Sequence, residues 1–199
     1  MISRVHFSIR FPAWLMAALL AGALQASARQ VPYKIDIDRS EVDFGVKCFG
    51  FFKYGGRFSG FSGDVLLDPE HWESLQLKIQ IPVDSLESRP KLWRHTLLGP
   101  AFFDSNRYPS IKFGAMNARR TGQTSAEATG NLTIRGTTRP MRLSILAAPN
   151  ADAIEIDTET TLKRSDFGLG GVLPLASDDV TVVLRLRLVP EPPRPSASR

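Results

Sequence analysis

The chain has 199 residues, 43% of them hydrophobic, with 25 Lys and Arg against 20 Asp and Glu and a formal net charge of +5. That is enough for one domain with a substantial core, and the charge is spread too evenly for a nucleic-acid surface, which needs clustered cations with exposed aromatics. A single cysteine, Cys48, excludes an intrachain disulfide, and with so few histidines it excludes a His/Cys zinc site of usual spacing.

At the start of the chain, Arg4 and Arg10 precede a short apolar run, Trp14–Leu24, and Ala26-Ser27-Ala28 supplies the small residues of a signal-peptidase site. The run is shorter than the roughly 20 residues needed to cross a bilayer. Residues 1–28 are therefore expected to be a cleaved signal peptide that directs the product to the periplasm, with no stable membrane insertion. The folded domain is expected over 29–190. The Pro/Ser-rich end, 191–199, is expected to be a disordered tail.

From residue 33 onward the dominant period is two. Tyr33, Ile35 and Ile37 alternate with Lys34, Asp36 and Asp38; Val42, Phe44, Val46 and Cys48 alternate with Asp43, Gly45 and Lys47. Further runs follow at 58–67, 74–83, 110–118, 126–134, 138–147, 153–163 and 179–189. Such alternation predicts strands with one dry and one wet face. Breakers are read at 54–56 (YGG), 121–124, 135–140 and 148–152, so neighbouring strands should pair antiparallel through short turns. One segment departs from the period: 86–99, with Leu92, Trp93 and Thr96–Leu98 at roughly helical spacing and Gly99-Pro100 as the stop. It predicts a single helix. The stretch 97–113 after it mixes proline breaks with Phe102, Phe103 and Tyr108, aromatics that need something to pack against.

The catalytic inventory is thin. The sequence has no GxSxG elbow, no P-loop and no GxGxxG, and Gly168-Leu169-Gly170-Gly171 reads as a turn. By alternation Arg164 continues the inward face of Ile154, Ile156, Thr158, Thr160 and Leu162. There it could meet an anionic or carbonyl headgroup, or pair with a carboxylate such as Asp166. Ala126, Ala128 and Gly130 make one wall slim, and Gly60 and Gly63 thin another. Such a wall either borders a cavity or receives bulky side chains such as Phe44, Phe58 and Phe61. Cys48 continues the face of Val42, Phe44 and Val46, so it should be buried.

Six pieces in order, YKIDIDRSEVDFGV, GRFSGFSGDVLLD, VDSLES, FFDSNRYPSIKF, GNLTIRGTTRPMRL and LKRSDFGLG, resemble the YceI-like family over residues 32–189. The resemblance implies a mainly β protein, an extended antiparallel lipocalin-like barrel of about eight strands with one short helix over an opening. It also implies an apolar cavity that binds a polyisoprenoid, a polyprenyl chain or a quinone. The cavity residues it implies are Phe44, Val46, Phe61, Leu77, Ile79, Leu97, Phe102 and Phe103, with Phe113, Ala128, Leu132, Leu143, Arg164, Phe167 and Leu184. Where the family commonly has an acidic residue and a histidine in the helix, this chain has Arg94 and Thr96, with His95 displaced by one. No cofactor or metal is implied.

Three functions compete on these grounds. A non-catalytic carrier needs only a dry tunnel. An isoprenoid-modifying enzyme would need a perturbed titratable group inside it. An interaction module, for which a homodimer is one form, would need an exposed apolar patch.

Overall fold

The computed structural model describes residues 30–48, 52–150, 152–170 and 176–192. The expected signal peptide, and residues 193–199 of the expected tail, lie outside them. The alternating runs form β1 (Val31–Ile35), β2 (Glu41–Cys48), β3 (Phe52–Phe58), β4 (Ser62–Leu67), β5 (Gln76–Pro82) and β6 (Leu86–Arg89). A five-residue helix α1 (Arg94–Leu98) follows, then β7 (Ser110–Arg120), β8 (Ser125–Ile134), β9 (Thr137–Asn150), β10 (Ala153–Lys163) and β11 (Ala176–Pro190).

The pairing order is β1-β4-β5-β7-β8-β9-β10-β11, and β11 pairs back to β1, with Tyr33 opposite Pro190, so eight antiparallel strands close a barrel. The strands β2, β3 and β6 extend it. Each of the pairs β1/β2, β3/β4 and β5/β6 is one long strand broken by a bend. The bends are bonded locally. Ser40 Oγ donates to Asp36 O at 2.6 Å, and Ser85 Oγ donates to Gly60 O at 3.0 Å while Ser59 Oγ donates to Ser85 O at 3.0 Å. Closure leaves no free edge in this part of the molecule, which removes the unpaired backbone groups through which open sheets associate.

The two ends of the barrel differ. At the end carrying the β4–β5 turn all neighbouring strands pair, with one bulge in β7 between Ala115 and Asn117. At the other end, two pairs of neighbouring strands part. β5 pairs with β7 only as far as Pro82 opposite Ser110, and the segment 91–109 fills the gap beside β6. β9 pairs with β10 only between Leu146–Asn150 and Ala153–Asp157, and a 3₁₀ turn, Arg164–Phe167, fills that gap. Pro140, opposite Asn131 of β8, sits where β9 has no partner on its β10 side, a place that tolerates proline better than a strand paired on both sides.

The core follows the same division. Tyr33, Trp72, Leu75, Ala118, Ala126, Ala128, Ile145 and Leu188 pack the closed end; Val42, Phe58, Phe61, Ile81, Leu86, Ile111, Ile134 and Phe167 pack the half nearer the mouth. The slim wall of β8 receives bulky neighbours. A Cβ on Gly130 would lie 2.8 Å from Phe113 Cζ and 2.4 Å from Gly114 O, so only glycine admits that ring. Cys48 is buried and unbridged.

Several sequence expectations give way, among them the breakers read at 135–140 and 148–152, most of which lie within β9. Residues 86–89 are strand, not helix. Leu86 and Ser88 turn inward with period two, and the residue before Pro90 is pushed to extended backbone. The helix is thus confined to α1, preceded by a 3₁₀ turn, Lys91–Trp93. Tyr54-Gly55-Gly56 does not break the chain either, but lies within β3, where the Phe44 ring covers Gly56.

Candidate functional site

The inward faces enclose an elongated cavity of about 210 Å³ that runs along the barrel axis. Its floor is Trp72 with Leu75 and Leu67; its side walls include Leu77, Ile79, Leu143, Ile145, Leu186 and Leu188. Towards the mouth it is lined by Phe44, Val46, Thr158, Thr160, Leu162, Val182, Leu97 and Trp93. The volume lies below the roughly 300–1,000 Å³ of ordinary ligand pockets. With so long a wall, it is a thin channel suited to an extended chain.

The floor is firmly held. Trp72 is 5% exposed, and its indole N–H donates to Pro69 O at 3.0 Å. The turn that presents it is bonded by Asp68, which accepts from Glu70 N at 2.9 Å and lies 3.0 Å from His71 Nδ1. Burial, with the Asp68 carboxylate nearby, raises the Tyr33 phenol above its ordinary value.

The mouth is built from segment 91–109 and the Arg164 turn. Trp93 lies flat on Tyr54, ring centres 5.1 Å apart. Phe103 packs edge-on against Phe58 at 6.0 Å. Phe102 is buried against Gly170, whose φ of +80° and close contact both demand glycine, and Gly170 N donates to Ala101 O at 2.7 Å. Tyr108 packs on Gly136 at the β8–β9 turn. The aromatics of 97–113 therefore join the capping segment to the barrel rim.

Arg164 points inward, as alternation predicts, but pairs with no carboxylate among the described residues. Its guanidinium donates to Ser177 O at 3.1 Å and Leu169 O at 3.0 Å, and also to Gly170 O and Ala176 O. Asp166 is exposed and turned away. The arginine fork fits converging carbonyls better than one carboxylate would fit this site. It thereby gathers both ends of the β10–β11 connection while facing the cavity. The neighbouring turn is fixed by Asp178, whose carboxylate accepts from Ser165 Oγ at 2.7 Å and Ser165 N at 3.0 Å. Those bonds hold its pKa below the usual carboxylate value.

Of the residues singled out in the sequence, Phe44, Val46, Leu77, Ile79, Leu97, Phe102, Phe103, Phe113, Leu132, Leu143, Arg164 and Leu184 border the cavity. Phe61, Ala128 and Phe167 do not. Phe61 and Phe167 pack between wall elements, and Ala128, fully buried, lies in the closed-end core. Arg94 turns away to Leu86 O at 2.8 Å and Asp84 O at 2.6 Å, and His95 is exposed. Sequence reasoning missed Trp72 and Trp93. A tryptophan inside the acidic turn Asp68–Glu73 was the signal for the first; nothing in the pattern marks the second. Among the described residues, no cluster of His, Cys, Asp and Glu could hold a metal, and no helix is long and apolar enough to cross a membrane.

Comparison with known proteins gives a consistent picture. The profile of the YceI-like domain matches residues 33–188. A UPF0312 protein of Pseudomonas putida is 28% identical over 171 residues, covering 81% of this chain and 87% of that one. Among solved structures, Burkholderia cenocepacia BcnA superposes with a TM-score of 0.73 at 25% identity, over 77% of this chain and 98% of that one. A polyisoprenoid binding domain from Saccharophagus degradans, implicated in plant cell wall breakdown, superposes with a TM-score of 0.66 at 14% identity, over 81% and 99%.

Proposed function

Because the chain belongs to the YceI-like family, we propose that it is a periplasmic, non-catalytic carrier that holds the hydrocarbon chain of an isoprenoid lipid, polyprenyl or quinone, inside the barrel. The observation that carries this reading is the shape and chemistry of the channel: apolar from the Trp72 floor upward, with the polar side chains Thr158, Thr160 and Arg164 towards the mouth. A chain with one polar end enters tail first, since burying an unpaired headgroup at the floor would cost several kcal/mol. The headgroup then stays near Arg164.

Three polar side chains of the wall, Ser88, Thr158 and Arg164, are engaged in structure. Thr158 Oγ donates to Ser144 O at 2.8 Å, and the Arg164 fork donates to carbonyls. That supports binding over catalysis, which needs groups free to act on substrate. No cofactor enters the reading. The Saccharophagus degradans domain, described as polyisoprenoid binding, lends support through its shared fold.

The test is organic extraction of protein purified from its native compartment, followed by mass spectrometry. An isoprenoid recovered in near-stoichiometric amount is the expected result, from a chain whose N-terminus is Arg29. An empty extract that stays empty after incubation with polyprenyl lipid, or an exported chain retaining Met1, would contradict the carrier or the export reading respectively.

A further inference from the structure

The rim on the β2–β3–β6 side of the mouth has features that the channel does not require. Lys47 and Lys53 stand directly opposite each other across β2 and β3, both exposed, an arrangement of like charges that destabilises a sheet. The register that pairs Gly55 with Arg89 sets Lys53 beside the point where the chain leaves β6 for Lys91. Lys47, Lys53 and Lys91 make no ion pair among the described residues, whereas Arg57, one step further from the rim, is matched by Glu87 at 2.9 Å. Leu92 follows Lys91 and is 76% exposed, while its neighbour Trp93 turns in to line the channel. At the opposite end of the barrel the β4–β5 turn is acidic, with Asp68, Glu70 and Glu73.

We infer that this rim is a docking face for an anionic lipid bilayer, with Leu92 as the apolar contact and Lys47, Lys53 and Lys91 as the electrostatic one. Unpaired cations around one exposed apolar side chain, with an aromatic at the same level, match the chemistry of a headgroup layer. The face also runs directly into the channel wall through Trp93. A chain leaving the bilayer would thus enter the cavity without crossing water. That last step rests on the carrier reading above; docking itself does not.

The experiment is sedimentation of the mature protein with phosphatidylcholine vesicles, with and without phosphatidylglycerol. Preferential binding to the phosphatidylglycerol vesicles is expected, and its loss in 1 M salt, where the Debye length falls to about 3 Å. The double variant Lys53→Glu/Lys91→Glu should bind at least about tenfold more weakly. Leu92→Ser should weaken binding several-fold, whereas Met116→Ser, at an equally exposed apolar residue on the barrel side, should not. Equal binding to both vesicle types, equal loss from Met116→Ser and Leu92→Ser, or self-association through Leu92 without vesicle binding would overturn the inference. Loading of a fluorescent isoprenoid from cyclodextrin separates the two readings. The rim variants should load as the parent does, and a parent that docks on vesicles but never loads would refute the carrier while leaving the docking face in place.

Discussion

The closed end and the mouth are built from the same long strands, yet they solve different problems. At the closed end every neighbouring strand pairs, Gly130 admits the Phe113 ring, and Trp72 seals the floor. At the mouth two strand pairs part, and the gaps are filled by short helical turns held through side chains and carbonyls. Continuous ladders with dense packing open only with the whole fold, whereas turns held by a few bonds can open locally. A carrier needs both: a floor that stays shut and a rim that can yield.

The sharpest way to break this contrast is at the floor. Trp72→Ala removes the largest side chain there and should cost about 3–5 kcal/mol in stability, read by denaturant unfolding. A loss below about 1 kcal/mol would mean that the floor is as soft as the rim. Ala128→Leu comes next. In the closed-end core the added methylenes have nowhere to go, and overpacking of about 1–3 kcal/mol is expected; a neutral effect would place a void where the structure has none.

The smallest effect belongs to the rim and depends on pH. Ser165 donates two bonds to Asp178 and depresses its pKa, so the bond's contribution is fully present above the unfolded carboxylate value of about 3.9. It is lost as pH falls through the lower folded value. Amide exchange at Ser165 should therefore accelerate relative to the closed-end strands as the solution is acidified below pH 4, and Asp178→Asn should abolish that relative change. Uniform acceleration across both ends would show that the rim turn is not an independent unit.

Much of this contrast could be read from the alternation of residues, because period two assigns side chains to faces regardless of partner. It set Arg164 and Thr160 on the inner face and Arg185 and Arg187 on the outer one, where they meet Glu41, Asp157 and Glu155. Alternation says nothing about which inward residues face empty space. Ala128 and Leu143 share a face and lie opposite each other on β8 and β9, yet only Leu143 borders the cavity. Short segments misled for a local reason. The aliphatic spacing of 86–99 suits a helix, but Pro90 and the pairing of β6 with β3 outweigh it. The Arg164 fork was legible as inward and charged; its carbonyl partners come from residues 5 to 13 positions along the chain, brought together only by the turn itself.

The central claim is that the space between these walls is for a ligand. Val182 borders it near the mouth, between Phe44 and Thr160 on the adjoining strands. Val182→Phe adds bulk to that space without touching the closed-end core. Titration of a fluorescent polyprenyl lipid against the parent and Val182→Phe, beside thermal unfolding of each, tests the claim most directly. The account predicts at least about tenfold weaker binding with unfolding changed far less than by Ala128→Leu. Unchanged affinity in Val182→Phe, or a stability loss as large as that of Ala128→Leu, would contradict it.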